Sequence, residues 1–333
     1  MKWISFPDPA LRVYGLPWFN ETSPLLHRFP SRMKKKVRPV LWECSTYPAG
    51  GRIRFSSDSL NLGIMAESPS LSMHHMPRTG HSGFDLYVNN SFIFCAWPDT
   101  TGTIKTEKNI ATEKKMRSIE IYLPLYNQTR LNAIAIDNDA SIAPAPPFCI
   151  QDPVVFYGSS ITQGGCASNP GTSWQGFLSR ELHIDFVNLG FSGQGWGDPE
   201  IAEAIAELKA SCIVLDHWAN IRHNPLGYSG TIQPFVAILR KSMPTIPIIL
   251  TGPYFYPSDS FDPYHDHLRK EIKRSAQTFK DHGDNNIHFF DNRKAIGKNQ
   301  AFATVDGCHS TSLGFFLMAK SFAPTLRSIL FKK

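Results

Sequence analysis

The chain changes its hydrophobic period near residue 150, and one architecture cannot absorb both patterns. Before that point apolar and polar residues alternate, which places the apolar set on one side of a strand. Ile53 and Phe55 share a face, as do Ile119, Ile121, Leu123 and Leu125. Further strands are expected at residues 37–44, 60–66, 84–88, 91–97 and 131–137. Asn89-Asn90 separates two of them, and such a pair tolerates the positive φ of a tight hairpin. Residues 1–145 therefore read as an antiparallel β-sandwich, jelly-roll-like in plan. The run Ile142-Ala143-Pro144-Ala145-Pro146-Pro147 opens a stiff linker, placed at residues 146–152.

From 153 to 333 short apolar strands alternate with amphipathic helices. Strands are expected at 154–157, 186–189, 212–215, 246–250 and 287–290. Helices are expected near 173–183, 231–242 and 264–281, from Asp198 as N-cap, and from about Ser312 onward. This alternation implies a parallel, doubly wound α/β sheet covered on both sides.

Composition narrows the function classes. The 333 residues are 42% hydrophobic and 19% charged, so a sizeable core can form. A net charge of +6 comes with no basic stripe interleaved with aromatics, which argues against nucleic acid as partner. The six cysteines, at 44, 95, 149, 166, 212 and 308, are widely spaced and read as reduced thiols. The start lacks the apolar segment of a signal peptide, and no apolar run is long enough to span a bilayer. The expectation is a soluble, cytoplasmic protein without a membrane partner; nothing in the sequence sets its oligomeric state.

In parallel sheets of this kind ligands sit beyond the carboxyl ends of the strands. Four loops at such positions carry a coherent set. Tyr157-Gly158-Ser159-Ser160-Ile161-Thr162-Gln163-Gly164 offers a serine in a tight strand-to-helix turn. Asn188 to Gly195 is glycine-rich, so its amides can approach a ligand closely. Asn220 can donate to a developing oxyanion. Asp306-Gly307-Cys308-His309 supplies a general base with a carboxylate to orient it. Each segment alone is a common loop; together, and in this order, they are specific.

These segments resemble the SGNH/GDSL hydrolase superfamily over roughly residues 150–330. Its first block, Gly-Asp-Ser-x-[Ser/Thr]-x-Gly, matches Gly158 to Gly164; the second-block glycine falls on Gly193, the third-block asparagine on Asn220, and the Asp-x-x-His pair on Asp306 and His309. The resemblance implies a flavodoxin-like three-layer α/β/α fold and ester chemistry without metal or organic cofactor. It implies Ser160 as nucleophile, His309 and Asp306 completing a triad, and oxyanion donors from Ser160, Gly193 and Asn220. The chain departs from the pattern at Ser159 (usually Asp), Ala219 (often Gly), Ile221 (often Asp) and Ser310 (commonly Pro). A subgroup with Gly-Ser-Ser-Ile-Thr-Gln-Gly and a preceding β-sandwich includes carbohydrate deacetylases and an acyltransferase.

The expected activity is therefore hydrolysis of a short-chain acyl ester, acetyl foremost, of a carbohydrate or small molecule. An acyltransferase with the same triad, and a non-catalytic carbohydrate-binding protein, are the alternatives. Trp218 and His75 are candidates for the substrate pocket, His75 through a sandwich loop reaching across. His74-His75, and His265 with His267, have no matching ligands at metal-site spacing, so no metal is expected and surface roles are assigned.

Overall fold

The computed structural model describes residues 1–69 and 71–331; the expected domain end at 333 lies outside the described residues. Ten strands occupy the first part: β1 (Lys2–Ser5), β2 (Arg12–Tyr14), β3 (Arg52–Ser57), β4 (Asn61–Glu67), β5 (Phe84–Val88), β6 (Ser91–Ala96), β7 (Thr103–Asn109), β8 (Arg117–Tyr122), β9 (Arg130–Ile136) and β10 (Ile142–Ala143). They form two sheets, β1-β9-β4-β7 and β10-β3-β8-β5-β6, with β2 also paired to β3. Ile53, Phe55, Leu86, Ile119 and Ile121 of the second sheet share one core with Leu62, Ile64, Ile104, Ile134 and Ile136 of the first. The sandwich expected from the alternation is thus present. Asn89 and Asn90 both take positive φ, at 49° and 65°, in the β5–β6 hairpin.

One expected strand is a helix. Residues 37–44 contain α2 (Pro39–Ser45), the second of three short helices here, after α1 (Phe19–Thr22) and before α3 (Arg78–Ser82). Pro39 sits at the first helical turn, where its fixed φ suits a helix and its missing N–H costs nothing. Leu41 and Cys44, three residues apart, are the buried face. Strands β1, β2 and β7 were not foreseen. In β7 only Ile104 is buried, so an edge strand of Lys and Glu gives no apolar period to read.

The second part is a five-stranded parallel sheet: β11 (Val154–Gly158), β12 (Phe186–Gly190), β13 (Cys212–Asp216), β14 (Ile248–Gly252) and β15 (Ile287–Asp291), in the order β12-β11-β13-β14-β15. The four inner and first strands β11 to β14 are buried throughout, as sheets covered on both faces require. Six helices complete the layers: α4 (Ser160–Gln163), α5 (Trp174–Leu182), α6 (Pro199–Ala206), α7 (Gly227–Ser242), α8 (Tyr264–Asp281) and α9 (Ser312–Leu330). α5 packs on α9, while α6 packs on α7 and α7 on α8. The strand order reverses at β11, and the loops after β11 and β13 flank that switch point. Asp198 is the N-cap of α6 by position, but its side chain makes no capping bond. Its carboxylate is drawn to the Arg38 guanidinium instead.

The two parts are joined by buried polar contacts as well as apolar ones. Trp18, Phe29, Met33, Leu41 and Cys44 belong to the core of the parallel-sheet half. Arg28, fully buried, donates to the carbonyls of Tyr47 (2.8 Å), Asn188 (3.3 Å), Gly190 and Cys44. Burial lowers its pKa to about 10. The proline-rich stretch is fastened too. Its first residues form β10, and Arg54 donates to the Pro146 carbonyl (3.2 Å) while its guanidinium lies 3.7 Å over the Phe148 ring. Among the described residues no helix is long and apolar enough to cross a membrane.

Candidate active site

β11 ends at Gly158, and the chain turns at once into α4 with Ser159 as N-cap. The Ser159 hydroxyl accepts from the Ile161 amide at 3.2 Å, the capping role that an aspartate side chain also fills. That turn holds Ser160 at the first helical position, 7% exposed. Its Oγ lies 3.0 Å from His309 Nε2.

His309 comes from the loop between β15 and α9. Its Nδ1 is 2.8 Å from Asp306 Oδ2, while Asp306 Oδ1 accepts from the amides of Cys308 (2.9 Å) and His309 (2.7 Å). One carboxylate therefore fixes both the ring and its own loop. Burial opposes ionisation of Asp306, but the donors from His309 and Cys308 outweigh it and hold the carboxyl at about 2. The Cys308 thiol and the Asp306 carboxylate raise His309 to about 9 against its burial. Ser310, where the resemblance leads one to expect proline, donates to the Tyr254 hydroxyl at 3.4 Å.

Gly193 lies in the loop after β12, and Asn220 in the short 3-10 turn after β13. Gly193 adopts φ +69° with open space where a Cβ would stand, so a side chain there would be strained rather than crowded. Asn220 Oδ1 accepts from the Gly195 amide at 3.3 Å, which leaves the Asn220 NH₂ free to donate. Trp196 Nε1 donates to the Gly193 carbonyl at 2.7 Å and steadies the loop.

The two pocket candidates separate. Trp218 is 1% exposed. Its Nε1 donates to Asp216 Oδ1 at 2.8 Å, and its ring meets Tyr254 and Tyr256 edge-on. Those two tyrosines in turn reach Cys308 of the triad loop through their hydroxyls. Burial pushes Asp216 up to about 6, against donors from Thr251, Thr162 and Trp218. His75 does reach across: its ring meets that of His309 edge to face at 5.4 Å. Its pKa is lowered by burial and by the His309 charge. His265, expected at the surface, is stacked 4.1 Å from the Tyr256 ring and bonded to Asp259 at 2.7 Å.

Sequence reasoning missed the supports that arrive from the sandwich side. The Tyr126 hydroxyl donates to the Ser160 carbonyl at 3.3 Å. The Gln163 side chain donates to the Leu125 carbonyl (2.9 Å) and accepts from the Ser192 amide (2.9 Å), tying the serine turn to the Gly193 loop. Arg38 donates to Gln194 and lies 3.8 Å over the Trp196 ring. Asp85 accepts from the Gly171 amide (2.8 Å) and from Asn169 (3.1 Å), beyond the serine turn. Asp85 lies in Gly83-Phe84-Asp85-Leu86-Tyr87, where a buried face alternating with Asp and Tyr was the available signal. Cys166 was also passed over; its Sγ lies within 4.8 Å of ring nitrogens of His75 and His309.

A parallel α/β/α sheet, with Ser, His and Asp meeting beyond its carboxyl edge, defines the SGNH class of serine hydrolase folds. The sequence pattern of the GDSL-like lipase/acylhydrolase family matches residues 151–327, and that of the N-terminal part of SGNH-hydrolase-type esterases matches residues 1–142. The chain belongs to the GDSL-like lipase/acylhydrolase family and is an SGNH-type esterase. Among curated proteins none matches it. Among solved structures, a protein from Bacteroides ovatus described as a GDSL-like lipase is 27% identical, with a TM-score of 0.83 over 100% of this chain and 99% of that one. The salicylyl-acyltransferase SsfX3 of a tetracycline biosynthetic pathway is 20% identical, with a TM-score of 0.82 over 98% and 97%. A family two carbohydrate esterase from Clostridium thermocellum, in complex with cellohexaose, is 13% identical, with a TM-score of 0.66 over 85% and 93%.

Proposed function

We propose that the protein is a serine esterase that removes short acyl groups, acetyl foremost, from a carbohydrate or small-molecule alcohol. The observation that carries this reading is the unbroken chain from Ser160 Oγ to His309 Nε2 (3.0 Å) and from His309 Nδ1 to Asp306 Oδ2 (2.8 Å). His309 takes the hydroxyl proton as Ser160 Oγ attacks the ester carbonyl carbon. Asp306 keeps the ring in register and offsets its charge. The amides of Ser160 and Gly193 and the Asn220 NH₂ receive the developing oxyanion. Collapse of the tetrahedral species breaks the C–O bond, and His309 returns the proton to the departing alcohol. Water then attacks the acyl-enzyme with His309 as base again, releasing the acid and freeing Ser160. The carbohydrate esterase among the structural neighbours supports an acyl sugar as substrate by likeness of fold alone.

A second reading keeps the first half of this cycle and replaces water by an acceptor alcohol. The likeness to the salicylyl-acyltransferase, closer in shape than that to the carbohydrate esterase, favours it. Both readings are tested by p-nitrophenyl esters from acetyl to octanoyl, offered to wild type and Ser160→Ala with and without acceptor alcohols. Turnover confined to wild type and short chains supports the esterase. Turnover that appears only with an acceptor supports the transferase, and turnover that survives in Ser160→Ala removes Ser160 as nucleophile.

A further inference from the structure

Three side chains remote in sequence converge beside the Ser160 hydroxyl. A ring nitrogen of His75, a ring nitrogen of His309 and the Sγ of Cys166 all lie within 4.8 Å of one another. Two imidazoles and a thiol are a donor set for zinc and a poor one for magnesium or calcium. Tetrahedral zinc, with bonds of roughly 2.0–2.3 Å, needs its ligand atoms roughly 3.3–3.8 Å apart. Closing from 4.8 Å to that spacing takes about 1 Å, and His75 sits in a partly exposed loop closed by the Met73–Met76 bridge.

The proposed reaction explains neither of the two outer ligands. Cys166 is 4% exposed and holds φ +72°, a left-handed conformation uncommon for a residue other than glycine or asparagine. Among the described residues its Sγ makes no hydrogen bond. His75 Nδ1 is shielded from solvent and has no hydrogen-bond partner among the described residues. His309 is already oriented through Nδ1 by Asp306, an arrangement that raises the basicity of a metal-binding ring, and Nε2 is its coordinating atom.

From this convergence we propose that His75, Cys166 and His309 form a zinc site that reversibly switches the enzyme off. Zinc displaces the Cys166 thiol proton to solvent and bonds to His309 Nε2. The lone pair that would accept the Ser160 proton is then occupied. A water completes the tetrahedron. The switch rests on the reading of His309 as general base; the site itself does not.

The test uses the full chain, stripped with a chelator. It is titrated with cobalt(II), whose thiolate charge-transfer absorption reports cysteine ligation, and separately with zinc against ester turnover. One equivalent of cobalt should produce that absorption in wild type, Ser160→Ala and Cys308→Ser, and not in Cys166→Gly or His75→Ala. Cys166→Gly suits the left-handed backbone and retains turnover, and its half-inhibitory zinc concentration should rise by about ten-fold or more. Absorption that persists in Cys166→Gly, or equal zinc inhibition of wild type and Cys166→Gly, overturns the site. Cobalt ligation in the expected pattern with no zinc inhibition of an active enzyme overturns the switch. The same ligation pattern in a protein that turns over no ester supports the site and places the failure in the catalytic reading.

Discussion

Strands β3 and β7 both carry charged residues along their length, yet those residues end in opposite surroundings. In β7 Lys105, Glu107 and Lys108 point to solvent at the edge of a sheet. In β3 Arg52 and Arg54 are 0% and 3% exposed. They lie in cross-strand rows with β8 and β5: Arg52 opposite Tyr122, itself opposite Asp85, and Arg54 opposite Glu120, itself opposite Tyr87. That polar face is the seam against the catalytic half. Arg52 pairs with Asp185 and Glu120, and Arg180 donates to the Tyr122 hydroxyl (3.0 Å) and lies 4.2 Å over the Tyr87 ring. Alternation thus identifies an apolar face and says nothing of what the other face meets. Opposite charges on facing strands, which buried positions require, are the distinguishing sign.

The comparison predicts that seam and loop variants fail differently. The largest expected effect is on stability. Arg52→Met keeps much of the stem but leaves Asp185 without its cation and Glu120 with Arg54 alone, at a cost of about 3–5 kcal/mol. Urea unfolding would measure it. A loss below about 1 kcal/mol, the range of exposed pairs, would mean that the seam behaves as solvated surface and would break the comparison.

Asn220→Ala should do the converse. The side chain is half-buried in a loop, and its amide is aimed by a single bond from Gly195. Turnover should fall by about 10²–10³-fold, equivalent to about 2.7–4 kcal/mol of transition-state stabilisation, in kcat more than in KM. The unfolding midpoint should barely move. A large loss of stability with unchanged kcat would transfer Asn220 from the site to the scaffold.

Asp85 sharpens the seam through pH. Burial raises its carboxyl to about 6, against the Gly171 amide and the Asn169 side chain. The folded state therefore holds a proton that the unfolded chain, with a carboxyl near 3.9, gives up earlier. Stability from this group is complete below about pH 4 and is lost as pH rises to about 6. Asp85→Asn should flatten that slope in denaturation curves collected across the window. An unchanged slope would assign it to other groups, Asp216 first among them, since burial raises that carboxyl to about 6 as well.

The candidate catalytic loops were legible in part because Ser160, Gly193 and Asn220 lie within about four positions of a strand end. Strands β11 to β13 are buried on both faces and read as unbroken apolar runs, so their ends were easy to place. Ser160 and Asn220 stand out from that geometry, while the Asp306–His309 pair stands out by its place just before α9. The sandwich's contribution was not legible, because Arg28, Arg38, Asp85 and Tyr126 act on partners many residues away. The helix at Pro39–Ser45 was hidden for the same reason: its buried face is set by contact with the Gly193 loop, where the Cys44 thiol meets the Ser192 carbonyl at 3.9 Å. His75 lies between these cases, a loop histidine whose neighbours only folding supplies.

The smallest expected effect tests the other side of the comparison. Lys105 occupies an exposed edge position on β7, paired in register with Met65 of β4. No ion pair involving it is present among the described residues. Lys105→Thr should change stability by no more than about 0.5 kcal/mol, the range for surface positions without special contacts. Its consequence should appear in solubility, because charge along an edge strand deters pairing with a second chain. Equal unfolding curves with faster aggregation at high concentration would show that the polar face of β7 is tuned against association. A stability loss approaching that of Arg52→Met would mean that this edge is covered by a partner, and that the two charged strands are alike after all.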